Sequence, residues 1–102
     1  MTDPIDQHRP ELTELCRRHH VKTLEAFGSV VNSTFDPGRS DLDFLVDFQP
    51  MPPSLHSQSY FGLWFALQDL FGRKVDLVET RAVTNPFFLQ TIRPVRRVVY
   101  AA

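Results

Sequence analysis

Three aspartates occupy positions from which their carboxylates could share a cation. Asp41 and Asp43 begin the run from Asp41 to Phe48, which alternates between apolar and other residues as a half-buried strand does. Residues two apart on a strand point to the same face, about 6.5–7 Å apart along the backbone. Asp76 stands in the segment from Lys74 to Glu79, where Val75 and Leu77 alternate with it. If the two strands pair, all three carboxylates come within reach of one another.

Such a cluster of carboxylates indicates a divalent cation. Without one, the three charges would repel each other, raise their own pKa values and destabilise the fold. Mg²⁺ fits the oxygen ligands best, because it is usually held by one or two carboxylates together with substrate phosphates. The aspartates therefore predict a Mg²⁺ site whose other ligand is a nucleoside triphosphate.

A second pair of residues, Gly28 and Ser29, follows the predicted strand Val21–Phe27. Glycine lets the backbone approach an anion closely, and a helix that starts at Ser29 would offer free N–H groups and a hydroxyl to phosphate oxygens. An ordinary turn between a strand and a helix would look the same in sequence, so this pair alone does not decide between the two interpretations.

The surrounding sequence predicts the elements that position these residues. Tyr60, Trp64 and their apolar neighbours up to Phe71 recur at helical spacing, and Gly72 is expected to end the helix. We interpret this stripe as core, with a groove for a partner as the alternative. The prolines in Gln49–Ser54 predict a loop. The remaining predicted elements are a helix at about 10–19, strands at 21–27, 41–48 and 74–79, a short helix at 85–91, and a strand or extended arm at 95–100. This order predicts an α+β fold, a small mixed sheet flanked by helices.

Composition excludes several classes of function. The 102 residues suit a single domain, 1–102, and the net charge of −1 argues against stable binding of a polynucleotide along the surface. Cys16 is the only cysteine, so neither an intrachain disulfide nor a cysteine-based zinc site can form, and we interpret it as a small buried side chain. The segment before Pro10 lacks the pattern of a signal peptide, and no stretch has the ~20 apolar residues of a membrane span. We expect a cytoplasmic protein.

Three segments together resemble the minimal nucleotidyltransferases of the DNA polymerase β superfamily: Phe27-Gly28-Ser29, Arg39 to Val46, and Lys74 to Val78. The tail from Asn85 to Tyr100 is also similar to the end of such domains. The resemblance implies that Gly28 and Ser29 hold the triphosphate and that Asp41 and Asp43 bind two Mg²⁺ ions. It further implies that Asp76 binds the catalytic ion, and that attack on the α-phosphate releases pyrophosphate.

The sequence departs from the family pattern after Ser29, where Val30, Val31, Asn32 and Ser33 stand in place of the usual basic residue and glycine. Arg39 is the candidate that would take over the phosphate contact, with Arg73 and Lys74 as similar candidates. A metal-dependent sugar transferase with an Asp-x-Asp motif is disfavoured by the length of the chain.

Small domains of this kind resemble the antitoxin halves of pairs with HEPN ribonuclease toxins. The resemblance implies ATP or another nucleoside triphosphate as donor and a hydroxyl of a HEPN-type toxin as acceptor, so that the toxin is adenylylated. Two interpretations remain open. The retained Asp41, Asp43 and Asp76 favour an active enzyme, whereas the missing basic residue favours an antitoxin that acts only by binding its toxin.

Overall fold

The computed structural model describes residues 4–27, 42–80 and 97–102. It contains three helices and four strands in these ranges. In chain order they are α1 (Pro4–Gln7), α2 (Arg9–Arg18), β1 (Val21–Phe27), β2 (Leu42–Phe48), α3 (Pro53–Phe71), β3 (Val75–Glu79) and β4 (Arg97–Ala101). None of these helices is both long enough and apolar enough to cross a membrane.

The four strands form one mixed sheet in the order β3-β2-β1-β4. Strand β1 pairs antiparallel with both β2 and β4, whereas β2 and β3 are parallel. A parallel pair needs a crossover connection, and α3 supplies it. The sheet confirms the predicted α+β class, and the pairing of β4 with β1 resolves the tail in favour of a strand.

The core lies between the sheet and the helices. In β2 the residues Leu42, Phe44, Val46 and Phe48 are all at most 1% exposed, as the alternation predicts. Side chains from all three helices pack into the same apolar cluster, among them Ile5, Leu12, Cys16, Leu63 and Leu67. The register of β2 is therefore fixed, because a shift of one residue would bury its aspartates in place of these apolar side chains.

The opposite face of β2 is less open than the alternation predicts. Asp43 and Asp47 are half-buried there, and Leu45 between them is 1% exposed although it lies outside the apolar cluster under the helices. Leu45 occupies the middle of the sheet, opposite Glu25 of β1 and Val78 of β3, so neighbouring strands surround it on both sides.

The predicted proline loop Gln49–Ser54 extends two residues too far at its C-terminal end. Helix α3 begins at Pro53, inside the segment Gln49–Ser54 that we predicted to be irregular. The reason is that proline is compatible with the first turn of a helix, where its missing N–H has no intrahelical partner in any case. The other end of α3 agrees with the prediction, since Gly72 follows it in the left-handed conformation, with φ of 62°.

Candidate functional site

Two of the predicted aspartates lie side by side on adjacent strands. Asp43 of β2 and Asp76 of β3 are direct register partners in the parallel ladder. Partners in a ladder point to the same face of the sheet, and neighbouring strands lie about 4.8 Å apart. Asp43 is half-buried and Asp76 is exposed, so a ligand can reach the pair from solvent. The strand pairing on which the predicted carboxylate cluster depends is therefore present.

The two carboxylates border an open groove of about 520 Å³ between β3 and the side of α3. Aromatic side chains from α3 form much of its wall, and Lys74 contributes a positive charge beside the aspartates. The full lining is Phe27, Asp43, Tyr60, Phe61, Trp64, Lys74, Val75, Asp76, Leu77 and Val78. A groove with carboxylates, a cation and planar apolar rings can accommodate a ligand that combines charged and aromatic groups.

Helix α3 is bonded to β3 through its side chains. The Tyr60 hydroxyl donates to the carbonyl of Leu77 at 2.5 Å, and the Trp64 indole N–H donates to the carbonyl of Val75 at 2.8 Å. One turn earlier on the helix, the His56 ring contacts the carboxylate of Glu79 at the end of the strand. The groove wall is thus fixed to the strand that carries Asp76.

Tyr60 and Trp64 pack against the core, as predicted, but are not fully inside it. Both rings are half-buried, and their polar ends bond to the strand backbone. The available sequence signal was that His56, Tyr60, Trp64 and Gln68 recur every fourth residue. They place a row of polar atoms along one side of the helix, and Gln68 completes the row by accepting from the N–H of Val75.

The electrostatics of the groove act on Tyr60. Burial, with the negative charges of Glu79 and Asp76 as lesser causes, raises the pKa of the Tyr60 hydroxyl above its ordinary value of 10. The hydroxyl consequently remains protonated, and able to donate to Leu77, throughout the neutral range. The raised pKa of the Tyr60 hydroxyl is thus consistent with its role as the donor to the Leu77 carbonyl.

Four of the predicted site residues lie outside the described part of the chain. They are Gly28, Ser29, Arg39 and Asp41, and the predicted helix at 85–91 lies outside it as well. Within 4–27, 42–80 and 97–102 no three histidine, cysteine or acidic side chains come together as a metal site. The described ranges therefore contain two of the three predicted carboxylate ligands.

Comparisons with known proteins agree with this geometry. The family model described as a nucleotidyltransferase domain matches residues 10–99. A Methanocaldococcus jannaschii protein named "Putative protein adenylyltransferase MJ0128" is 36% identical over 90 residues, which cover 88% of this chain and 85% of the relative. Both matches include the two strands that carry Asp43 and Asp76.

Solved structures share the fold. One described as a "putative minimal nucleotidyltransferase" is 28% identical, with a TM-score of 0.72, and the match covers 95% of this chain and 94% of the other. Another is a chain from the complex of a tri-AMPylated Shewanella oneidensis HEPN toxin with an MNT antitoxin, with a TM-score of 0.66 and 17% identity. That match covers 96% of this chain and 73% of the other, and at this identity it concerns the fold alone.

Proposed function

The chain belongs to the nucleotidyltransferase domain family, and on that premise we propose that it transfers AMP from ATP to a hydroxyl group of a partner protein. The observation that carries the proposal is the register pairing of Asp43 with Asp76 at an open groove. Two adjacent carboxylates with solvent access suit a cation that must also bind phosphates.

The donor set fits a divalent cation, and we propose Mg²⁺, with two ions in the complete site. Asp43 and Asp76 would hold it together with Asp41. When bound, Mg²⁺ would neutralise the charge of the triphosphate and of the reacting phosphoryl group. The side-by-side arrangement of two like charges supports this assignment, because an empty pair gains nothing from being adjacent.

The chain's own residues would organise the remaining chemistry. We propose that Gly28 and Ser29 hold the triphosphate and that the carboxylate of Asp76 accepts the proton of the attacking hydroxyl. The hydroxyl oxygen forms a bond to the α-phosphorus while the bond from that phosphorus to pyrophosphate breaks, so pyrophosphate leaves. The exposure of Asp76 supports this role, because the base must be able to contact an incoming group.

A cation beside the carboxylates would hold the phosphates in place. Arg39 is our candidate from the sequence, and the position of Lys74 in the groove next to Asp43 and Asp76 supports Lys74 as a second one. A lysine here could compensate for the missing basic residue after Ser29, since an ammonium group binds phosphate as a point charge.

The acceptor we propose is a HEPN-type toxin, which the modification would neutralise. The name of the Methanocaldococcus jannaschii relative specifies protein adenylylation and supports a protein acceptor. The Shewanella oneidensis complex, which contains a HEPN toxin that carries AMP, shares the fold and suggests the kind of protein. A folded partner can place its own hydroxyl at the carboxylates, so that the energy of the protein interface orients the nucleophile.

Intact-mass spectrometry of a HEPN-type protein co-expressed with this chain tests the proposal. We expect added AMP masses with the wild type and none with Asp43→Asn or Asp76→Asn. Asp47→Asn is the matched control, because it removes the same charge from the same face of β2 but beyond the end of the pairing with β3. The control should modify the partner as the wild type does.

A partner that stays unmodified would contradict the proposal. If that partner still forms a tight complex, and Asp43→Asn and Asp76→Asn neutralise it as well as the wild type, the chain is an antitoxin that acts by binding alone. The same co-expression therefore distinguishes the two interpretations that the sequence leaves open.

A further inference from the structure

The backbone around Asp76 is bonded on one side to β2. In a parallel ladder, the N–H and C=O groups of successive residues point to opposite sides of the strand. The carbonyl of Lys74 accepts from the N–H of Leu42 at 3.3 Å, so Lys74 and, two residues later, Asp76 direct their backbone groups toward β2. The backbone groups of Val75 and Leu77 consequently point away from β2.

Helix α3 occupies that outer side. Trp64 donates to the carbonyl of Val75 and Tyr60 to the carbonyl of Leu77, the two residues that flank Asp76 in sequence. The spacing matches, because four residues of helix rise about 6 Å and two residues of strand about 6.6 Å. A helix that runs antiparallel to β3 can therefore bond both carbonyls at once with residues one turn apart.

We propose that Tyr60 and Trp64 are positioning residues that hold the Asp76 carboxylate in place for its cation. This proposal depends on the proposed function, in which Asp76 is a metal ligand. In the described ranges β3 has a strand neighbour on one side alone, and a strand at the edge of a sheet opens locally at low cost. The two side chains close the other side, so the peptide group before Asp76 and the peptide group after Leu77 are both fixed.

The chemistry of the two donors suits this role. An indole N–H does not titrate, and a tyrosine hydroxyl, with an ordinary pKa of 10 that burial raises further at Tyr60, keeps its proton in the neutral range. Neither ring needs to touch the substrate in order to act. Substitution of groups that orient a metal ligand typically weakens metal binding by about 10–100-fold.

Binding of Mn²⁺ tests the proposal without an activity assay. It is measured as the loss of the electron paramagnetic resonance signal of the free ion when protein is added to Mn²⁺ and ATP, relative to the same mixture without protein. Tyr60→Phe removes one oxygen atom, and Trp64→Phe keeps an aromatic ring in the groove wall. We expect each variant to bind Mn²⁺ roughly tenfold more weakly than the wild type, the lower end of the effect of outer-shell partners.

Two control variants separate positioning from general loss of stability. Tyr100→Phe removes the hydroxyl of the second tyrosine, which lies on β4, and Cys16→Ala destabilises the core from α2. Both should bind Mn²⁺ as the wild type does. If Tyr60→Phe and Trp64→Phe melt at lower temperature but bind Mn²⁺ normally, as Cys16→Ala should, the two residues are merely structural and the proposal is overturned.

The outcomes also distinguish this proposal from the proposed function. If the wild type binds Mn²⁺, the two variants bind it more weakly and no AMP reaches the partner protein, the positioning role holds and the enzymatic function fails. If the wild type binds no Mn²⁺ with ATP, the positioning role is overturned whatever the transfer assay shows. Should Trp64→Phe fail to fold, Tyr60→Phe alone decides the result.

Discussion

Asp43 and Asp76 are direct partners across the parallel ladder between β2 and β3, and both carboxylates border the same groove. The fold therefore places two carboxylates in adjacent positions, where one bound cation would interact with both of them. The energetic effect of a bound cation should be correspondingly large.

Asp43→Asn should abolish stabilisation by metal and nucleotide. In the wild type, Mg²⁺ with ATP at about 100 times the dissociation constant should raise the melting temperature by roughly 10 °C or more, because a ligand bound only by the folded state stabilises it by about 2.7 kcal/mol. The variant without ligand should melt at the same temperature as the wild type or slightly higher, since one of two neighbouring charges is gone. Thermal unfolding followed by circular dichroism measures both effects.

The control for that measurement is Asp47→Asn, which should respond to Mg²⁺ and ATP as the wild type does. Identical melting curves of the wild type in chelator and in Mg²⁺, both with ATP, would show that the Asp43–Asp76 pair does not bind a metal.

The sequence predicts the part of this site that depends on local alternation. Leu42, Phe44 and Val46 need the core, and that requirement orients Asp43 toward the other face. The same argument places Asp76 correctly between Val75 and Leu77. Gly72 likewise ends α3 where the sequence predicts, because its left-handed conformation is a local property.

What the sequence does not predict depends on contacts between distant elements. An apolar stripe with Tyr60 and Trp64 is equally compatible with full burial, and the distance of α3 from the edge of β3 decides that their polar atoms reach its carbonyls. The pairing of β4 with β1 was open for the same reason. For Gly28, Ser29, Arg39 and Asp41 the predicted roles remain predictions.

Gly62→Ala should destabilise the wild type through crowding against His19. A Cβ atom at position 62 would lie 3.0 Å from the Cδ2 and Nε2 atoms of the His19 ring, and the Nδ1 atom of that ring is bonded to the carbonyl of Leu15 at 2.9 Å. The ring must move by a few tenths of an ångström to admit the methyl group, and that movement strains its bond to Leu15. We expect the cost to exceed the gain of about 1 kcal/mol from alanine in a helix.

The matched experiment introduces Gly62→Ala into a His19→Ala background. With the ring removed, the substitution should stabilise the protein by about 1 kcal/mol. The effect of Gly62→Ala on the free energy of unfolding should therefore have opposite signs in the two backgrounds, and the difference is the coupling between positions 19 and 62. Urea denaturation measures all four proteins. Additive effects would mean that His19 does not constrain position 62.

The Cys16 thiol should be unreactive in the folded protein. Its side chain is fully buried, and burial raises its pKa to about 12 from an ordinary value of 9.0. At pH 8 a thiol reagent should react with the folded protein roughly a thousandfold more slowly than with the urea-unfolded chain, because reaction requires opening of the structure. Comparable rates in the two states would show that α2 separates readily from the sheet.

The raised pKa of Cys16 also predicts how the stability of the protein changes with pH. Because the pKa of the folded state is the higher one, the thiol contributes stability that is fully present below pH 9 and is lost as the pH rises toward 12. The free energy of unfolding of Cys16→Ala should therefore decline less between these values than that of the wild type.

Tyr60 should contribute a separate loss of stability at alkaline pH. Its pKa in the folded state is raised above 10.0, mainly by burial, so its contribution is complete below pH 10 and is lost as the pH rises through the higher folded value. The free energy of unfolding, measured from pH 9 to 11, should fall less steeply for Tyr60→Phe than for the wild type. Tyr100→Phe is the control for tyrosine titration in general, and equal slopes for the two variants would contradict the assignment to Tyr60.

The bonds from Tyr60 and Trp64 to β3 also bear on aggregation. A strand at the edge of a sheet can recruit the backbone of another molecule and begin an ordered aggregate. Here the carbonyls of Val75 and Leu77 already have donors within the same molecule, and the α3 side chains occupy the space that an added strand would need. Tyr60 and Trp64 therefore also cover this edge of β3, and their loss would expose it to pairing with a strand of another molecule, apart from any effect on the proposed metal site.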